Sequence, residues 1–368
     1  MNIPYVNLKL QWKKEKKKII PVINKILSKG SYVIGEEVDK FEKKIAKKCG
    51  AKYAVAFNSG TDALTMSLKL LGLRKGDEVI TPPNSFISST SSIIHVGAKP
   101  VFADVLEDQN IDPGQIEKKI TKKTKAIMPV HLTGRICEMN EIIKISKKYS
   151  IPIIEDAAQS IGSKYYNKSS GTFGDIGCFS AHPLKNLNAC GDAGFFVTNN
   201  YNFFKKAKIL RNHGIEDRNY VKNFGYISRM DVIQAGILNY RLKELNKTIF
   251  QRRANANYYL RNIDRNFFKI IDEKKYQFNT YHTFVIQTRL RDKLKKYLQK
   301  NKVTTAIHYP VPIHLQPASK YLNYRKGAFP VAEKQSKEIL TLPIHQNLSK
   351  NNLKRIVFLL NSFAKNYK

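Results

Sequence analysis

Short apolar segments alternate with amphipathic ones over the first two thirds of the chain, and this pattern restricts the fold more than any other feature. Apolar runs of about four to eight residues are typical of buried strands, whereas apolar positions at helical spacing indicate helices that cover a sheet. The alternation therefore predicts a mostly parallel α/β sheet flanked by helices. The predicted strands cover residues 53–57, 77–81, 100–104, 126–131, 151–155, 178–180 and 194–198. The predicted helices between them cover residues 61–71, 85–95 and 138–149.

The pattern changes near residue 246, where helices and single strands no longer alternate regularly. The predicted elements are a helix at 250–263, a strand at 281–286, a helix at 292–301, a Pro-rich loop at 308–317 and a helix at 352–367. We therefore predict a large α/β domain over residues 1–245 and a smaller C-terminal α+β domain over residues 246–368.

The net charge of +35 is the most unusual global property of the chain. Basic patches can mark nucleic-acid binding, because lysines and arginines displace counterions from phosphate backbones. Here the lysines are spread along the whole chain, and no helix-turn-helix or RNP-like motif accompanies them. We therefore expect no nucleic-acid partner, although a positive field attracts anionic ligands.

Other classes of protein are disfavoured by what the sequence lacks. It shows no signal-peptide pattern and no apolar run of about eighteen residues, so we expect no membrane partner. Its four cysteines lie far apart without a CxxC pair, which favours a reducing cytoplasm over a disulfide framework. No cluster of His, Cys or carboxylate residues has metal-ligand spacing, so we predict no metal.

Three segments carry side chains that could act together. Gly60 and Thr61 lie where a strand gives way to a helix, and helix N-termini bind anions such as phosphate. Asp156 ends an apolar strand, and a buried carboxylate at that edge needs a cationic partner. Lys185 lies in a loop between two apolar strands, and a partly desolvated lysine amine can form an imine with an aldehyde.

Each segment alone also has an ordinary structural explanation: a helix cap, a solvated acid at a strand end or a surface lysine. Together, and in this order on a parallel α/β frame, they match the three groups that pyridoxal 5′-phosphate (PLP) presents. Those groups are a phosphate, a pyridine nitrogen and an aldehyde.

At these positions the sequence resembles the DegT/DnrJ/EryC1/StrS family of nucleotide-sugar aminotransferases, which belong to the fold type I class of PLP-dependent transferases. The resemblance extends over nearly the whole chain. Its motifs are GTDAL at 60–64, EDAAQ at 155–159, HPLKN at 182–186, GD at 191–192, RNHG at 211–214 and HYPVPIHLQP at 308–317.

The resemblance implies a role for each matching residue. Lys185 would hold PLP as a Schiff base and move the catalytic proton, Asp156 would pair with the pyridinium nitrogen, and Gln159 would lie near the phenolic oxygen. Further cofactor contacts are implied for Gly60, Thr61, Phe86 and Ser180. The sugar-nucleotide site would be bordered by His308, Tyr309 and His314, although these histidines could instead belong to a rigid connector that bonds backbone carbonyls.

One motif departs from the family pattern. The family usually has Gly-Tyr-Asn-Ser-Arg where this chain has Ile227 at the asparagine position. That asparagine typically reaches the cofactor phosphate from the neighbouring subunit of a homodimer, and Ile227 cannot donate such a hydrogen bond. Asn223, Ser228 or Arg229 could replace it, or the phosphate could have fewer partners. We take Asn223 and Ser228 as candidate cofactor-binding residues.

The implied function is a transaminase that uses PLP and its pyridoxamine 5′-phosphate (PMP) form. It would move the amino group of L-glutamate to a keto carbon, which we expect to be C3, of a dTDP- or UDP-linked keto-deoxy sugar for surface polysaccharide or glycan biosynthesis. Amination at C4 is the alternative within the same activity. A PLP-dependent 3-dehydratase is disfavoured, because those relatives carry histidine in place of Lys185. A regulatory or nucleic-acid-binding protein is the alternative from another class.

Overall fold

The computed structural model describes residues 2–217 and 220–367. The strands are β1 (Tyr53–Phe57), β2 (Glu78–Thr81), β3 (Lys99–Phe102), β4 (Thr124–Ile127), β5 (Ile154–Asp156), β6 (Lys164–Tyr165), β7 (Lys168–Ser169), β8 (Ile176–Ser180), β9 (Gly194–Thr198), β10 (Ile215–Asp217), β11 (Tyr220–Val221), β12 (Gln277–Phe278), β13 (Phe284–Gln287) and β14 (Ile339–Leu342). The α-helices are α1 (Leu8–Ser28), α2 (Glu36–Cys49), α3 (Gly60–Leu70), α4 (Ile87–His95), α5 (Pro113–Lys118), α6 (Met139–Tyr149), α7 (Tyr201–Leu210), α8 (Val232–Asn262), α9 (Arg291–Lys300), α10 (Pro330–Glu338) and α11 (Lys350–Tyr367). Short 3-10 helices cover Leu132–Gly134, Ile313–Leu315 and Pro317–Leu322.

The central sheet has the strand order β3-β2-β4-β5-β8-β9-β1. Two hydrogen-bonded groups, β3-β2-β4 and β5-β8-β9-β1, are joined by parallel bridges from Ile127 to Ile153 and from Val130 to Asp156. Neighbouring strands run parallel except where β9 pairs antiparallel with β8 and β1. The predicted mostly parallel sheet is confirmed. Strands β1, β5 and β8 therefore end at the same edge, where open α/β sheets bind ligands.

Helices cover both faces of this sheet. On one face α3 and α7 pack against β1, β8 and β9, and their shared core includes Phe57, Leu64 and Phe196. On the other face α2 and α8 pack around Phe41, Phe179 and Phe195. The apolar spacing of α2 and α3 places their buried side chains on one side of each helix, as the sequence pattern predicts.

A second hydrophobic core lies in the C-terminal part of the chain. The antiparallel pair β13-β14 packs there with α9, α11 and the last turns of α8. The boundary predicted between residues 245 and 246 falls inside α8, which is continuous from Val232 to Asn262. Ile3 also belongs to this second core, although it lies in the range predicted for the large domain. Both parts of the chain are therefore joined by one helix and by the N-terminal segment.

Two general features limit the kinds of site that the fold offers. None of the described helices combines the length and apolar character needed to cross a membrane. Within residues 2–217 and 220–367, no three His, Cys, Asp or Glu side chains are grouped so that they could hold a metal ion.

Candidate active site

A cavity of about 410 Å³ lies at the carboxyl edge of the central sheet, against the N-terminal segment and the C-terminal part. Most of the residues predicted for a cofactor or substrate site line it. These are Gly60, Thr61, Phe86, Asp156, Gln159, Ser180, Lys185, His308 and Tyr309. The topology explains this convergence, because β1, β5 and β8 all deliver the residues at their ends to this edge.

The first turn of α3 forms one wall of the cavity. Ser59 caps the helix, and its Oγ accepts a hydrogen bond from the Asp62 backbone N–H at 3.0 Å. The N–H groups of Gly60 and Thr61 lie in this first turn, where no intrahelical acceptor is available. A Cβ on Gly60 would lie 2.7 Å from the Ser180 Cβ, so glycine allows the helix to approach the end of β8. Gly60, Thr61 and Ser180 together form a cradle suited to a phosphate.

Asp156 ends β5 and is 4% exposed. Its Oδ2 accepts a hydrogen bond from Ser89 Oγ at 2.7 Å, and its Oδ1 accepts one from the Ala158 N–H at 3.1 Å. These bonds fix the carboxylate but leave it without a cationic side chain in ion-pair range among the described residues. A buried carboxylate with this surrounding suits a protonated ring nitrogen. Ser89 was not predicted, since a serine inside an amphipathic helix carries no special sequence signal.

Lys185 projects from the loop between β8 and β9. The loop is held by the bonds from Ala181 N–H to Ala193 O and from Ala189 N–H to Ala181 O, at 2.8 and 2.7 Å. The Lys185 Nζ makes no hydrogen bond or ion pair with any residue in the described ranges. Burial lowers the pKa of Lys185 from 10.5 to about 8, and the charge of Asp156 partly opposes this shift. The amine is therefore more nucleophilic at neutral pH than an ordinary lysine.

The remaining predicted cofactor contacts suit a flat aromatic ring. Phe86 precedes α4 and remains 54% exposed, with its ring centroid 5.8 Å from that of Tyr309. Gln159 is 6% exposed; its Oε1 accepts a hydrogen bond from the Thr133 N–H at 2.9 Å. An exposed aromatic face beside a cavity is available for stacking.

The histidines that face the cavity remain neutral near pH 7. Burial lowers the pKa of His308 to about 4, and the nearby Lys185 adds to this effect. His308 Nδ1 lies 3.0 Å from Thr341 Oγ1. Burial also lowers the pKa values of His182 and His282 and raises that of Tyr309. The walls beside Lys185 therefore offer neutral hydrogen-bonding groups.

The structure places three predicted site residues away from the cavity. His314 is buried, its Nε2 lies 3.0 Å from Glu333 Oε1, and its ring packs 4.7 Å from the Phe329 ring. His314 therefore lies beside the cluster that Phe329 forms with Phe102, outside the cavity lining, and this placement does not support its predicted sugar contact.

Ser228 and Asn223 also lie outside the cavity lining. Ser228 is fully buried and donates from Oγ to Asp62 Oδ2 at 2.5 Å, so its hydroxyl is engaged within the chain, and its predicted cofactor contact stays a prediction. Asn223 is exposed beside Phe224, which is 98% exposed. The contact predicted for Asn223 stays a prediction about an assembled dimer.

A comparison with protein families matches residues 13–361 to the DegT/DnrJ/EryC1/StrS aminotransferase family. The chain belongs to this family. One relative, named dTDP-3-amino-3,6-dideoxy-alpha-D-galactopyranose transaminase, from Aneurinibacillus thermoaerophilus, is 39% identical over 98% of this chain and 99% of its own length. Another, named pleiotropic regulatory protein, from Geobacillus stearothermophilus, is 36% identical over the full length of both chains.

Solved structures of family members superpose closely on this aminotransferase. DesV from S. venezuelae, in complex with a ketimine intermediate, has a TM-score of 0.96 and 32% identity, covering 99% of this chain and 98% of that one. NtdA from Bacillus subtilis, with bound cofactor PMP, has a TM-score of 0.88 and 31% identity, covering 96% of this chain and 82% of that one. The predicted fold type I architecture is thereby confirmed.

Several residues of the aminotransferase cavity escaped prediction from the sequence. Tyr5, Arg252, His282 and His345 line it beside His308. They come from the N-terminal segment, from α8 and from loops of the C-terminal part, and no local motif sets them apart from surface or core residues.

Proposed function

We propose that this protein is a PLP-dependent aminotransferase that moves an amino group from L-glutamate to a keto carbon of a nucleotide-linked keto-deoxy sugar. The observation that carries the proposal is the convergence of Lys185, Asp156 and the first turn of α3 on one cavity. When bound, PLP supplies an aldehyde for the lysine amine and a ring that withdraws electrons from the reacting carbon.

Each part of the site has a task in this proposal. Gly60, Thr61 and Ser180 hold the phosphate, and Asp156 keeps the ring nitrogen protonated. Lys185 Nζ, with its lowered pKa, holds and moves the proton at the reacting carbon. Overall, glutamate becomes 2-oxoglutarate while the sugar carbonyl becomes a primary amine, so no further oxidant or reductant is needed.

For the sugar, we propose amination at C3 of a dTDP- or UDP-linked substrate in a cytoplasmic pathway of glycan biosynthesis. Support comes from the name of the 39% identical relative, a 3-amino-sugar transaminase. Neutral His308 and Tyr309 beside the cavity suit sugar hydroxyls rather than charged groups. We further propose a homodimer in which Asn223 of one subunit approaches the cofactor phosphate of the other.

The proposal is tested with the Lys185→Ala protein and with the exposed-lysine control Lys164→Ala. Wild type and control should show the visible absorbance of a PLP imine and should aminate 3-keto sugars, with products read by mass. Lys185→Ala should lose both the absorbance and all turnover. The panel contains 3-keto and 4-keto sugars on dTDP, UDP and GDP, each offered with L-glutamate.

The alternatives give different results in the same experiment. Turnover of 4-keto sugars alone would overturn the C3 assignment. If the wild-type protein showed no imine absorbance and bound DNA in a salt-sensitive manner, the proposed enzyme would be contradicted and a regulatory protein supported.

A further inference from the structure

Arg252 of α8 is a buried arginine at the cavity. Its side chain is 3% exposed, and its Nη1 donates hydrogen bonds to Tyr281 O and His282 O at 3.2 and 3.1 Å. Nε is buried without an acceptor, and Nη2 makes no hydrogen bond within the described ranges. One side of the guanidinium is therefore anchored to the backbone, while the Nε–Nη2 edge has nothing to bind.

The other buried arginines of residues 2–217 and 220–367 each have a carboxylate within 4.0 Å. These are Arg135 with Asp108, Arg211 with Glu42, Arg241 with Glu15 and Arg291 with Asp292. Arg252 forms no ion pair with a described residue. Since buried charges are normally compensated, the missing partner of Arg252 should be an anion from outside the chain.

Arg252 carries a permanent positive charge in its part of the cavity. Burial lowers its pKa to about 10, so it stays charged at neutral pH. The neighbouring His282, His308 and His345 have lowered pKa values and are neutral there. Asp156 and Asp192 line the same cavity but lie outside ion-pair range of Arg252.

We propose that Arg252 binds the carboxylate of the amino donor while the donor's amine faces Lys185. The adjacent N–H groups of Nε and Nη2 match the two oxygens of a carboxylate, which arginine binds in a bidentate manner. The diphosphate of a sugar nucleotide presents oxygens that arginine also binds in this manner, and the amino-sugar half-reaction below distinguishes it from the donor. This assignment rests on the proposed transaminase function. A carboxylate on the sugar, as in a uronic acid, could bind Arg252 in the same way.

The test separates the donor from the sugar by following half-reactions of the PLP-loaded protein. In Arg252→Gln, the L-glutamate concentration that gives half the maximal rate of imine bleaching should rise at least about tenfold. Two further half-reactions should proceed as in wild type. One uses n-propylamine, which lacks a carboxylate, and the other uses a nucleotide-linked amino sugar whose sugar carries no carboxylate. Arg252→Lys keeps the positive charge but loses the paired N–H groups. Its half-maximal glutamate concentration should therefore lie between those of wild type and Arg252→Gln.

The matched control is Arg253→Gln, which changes the next arginine on the same helix. Arg253 pairs with Glu273 at 2.9 Å and does not line the cavity, so its loss should leave the response to glutamate unchanged. Equal slowing of all three half-reactions in Arg252→Gln would overturn the proposal and leave Arg252 a structural role. If Arg252→Gln impaired only the reaction of a uronic-acid sugar, Arg252 would bind the carboxylate of the sugar. That result would also overturn the proposal.

A binding experiment keeps this inference separate from the proposed function. Glutarate is a dicarboxylate that cannot react, and its binding to the PLP-loaded protein can be followed by calorimetry. Wild type and Arg253→Gln should bind it, whereas Arg252→Gln should bind at least about tenfold more weakly. Arg252-dependent glutarate binding without transamination would contradict only the proposed function. Transamination with unaltered glutarate binding in Arg252→Gln would contradict only the role of Arg252.

Discussion

The reactivity of Lys185 is set by two opposing influences at the scale of single residues. Burial disfavours its ammonium form, while the carboxylate of Asp156 favours it, and burial has the larger effect. The pKa of about 8 leaves roughly a tenth of the amine neutral at pH 7, far more than an ordinary lysine has. The same carboxylate that would orient the cofactor ring therefore also limits how far the lysine is activated.

This balance predicts a pH dependence for imine formation. The initial rate at which the apoprotein forms an imine with added PLP should rise with a midpoint near pH 8, rather than near 10.5. In Asp156→Asn the midpoint should move to lower pH, because loss of a negative charge destabilises the ammonium further. Absorbance measured in stopped flow across the pH range gives both midpoints.

Ser89→Ala serves as the control, because it removes a hydrogen bond to Asp156 and leaves the charge in place. Its midpoint should stay close to that of wild type. A midpoint that rises in Asp156→Asn would contradict the electrostatic explanation.

The candidate site was predictable to the extent that its residues belong to local motifs. Asp156 ends β5, whereas Gly60 and Lys185 follow β1 and β8. The carboxyl ends of parallel strands meet at one edge of the sheet, which brings these residues together. Arg252 stands next to another arginine in a helix, a pattern typical of a surface, and only the tertiary structure buries it. The pairing of Ser228 with Asp62 bridges 166 positions and has no sequence signature.

Strand β5 depends on Glu155, the fully buried neighbour of Asp156. The Glu155 carboxylate accepts hydrogen bonds from the N–H groups of Gly171, Phe173 and Gly174 at 2.8, 2.6 and 2.7 Å. It also lies 2.8 Å from His131 Nε2. Through these bonds a single carboxylate ties β5 to the loop before β8 and so fixes the edge that carries Asp156.

We therefore expect Glu155→Gln to destabilise the apoprotein by about 3 kcal/mol or more. The amide keeps the size of the side chain, but its NH₂ group faces backbone donors, and the charge-assisted bonds are lost. Urea unfolding of the apoprotein measures the change. Glu141→Gln removes an exposed pair with Lys144 and should cost less than about 1 kcal/mol. Equal stability of the two variants would contradict the role given to Glu155.

At the scale of elements, regular apolar spacing predicted several limits closely, and helices α3, α6 and α9 lie within one residue of the predicted limits. The strands β1 and β9 have the predicted limits, because their apolar runs end at turn residues. The predicted strand at 126–131 ends earlier, at Ile127, and the backbone after it turns into the 3-10 helix Leu132–Gly134. The predicted helix at 250–263 is the second half of α8, whose first half is buried in a different core.

At the scale of the whole molecule, the N-terminal segment holds the two parts of the chain together. The Ile3 N–H donates to Lys302 O at 2.9 Å, and Ile3 O accepts from the Thr304 N–H at 3.0 Å. The Ile3 side chain is fully buried in the C-terminal core, while Tyr5 reaches the cavity. The segment therefore links the stability of the C-terminal part to the shape of the active site.

Ile3→Ala should lower the free energy of unfolding by about 2–5 kcal/mol, because it leaves a cavity in a closely packed core. The concentration of glutamate needed for half-maximal rate should rise as well, since Tyr5 loses its anchor. Leu8→Ala is the control, because Leu8 is 39% exposed at the start of α1 and should cost far less. Thermal unfolding and steady-state kinetics measure both effects. If Ile3→Ala were destabilised but kept its wild-type kinetics, packing of Ile3 in the C-terminal core would not influence the active site, and the link through the N-terminal segment would be contradicted.

Helix α8 has a practical consequence for producing parts of this enzyme. It contributes Leu245 and Ile249 to the core beside the central sheet, and Ala256 and Tyr259 to the C-terminal core. Expression of residues 1–245 alone would remove Ile249 from the first core, and expression of residues 246–368 alone would remove Ile3 from the second. Each fragment would expose apolar surface, so we expect both to aggregate when made separately and to recover only when expressed together.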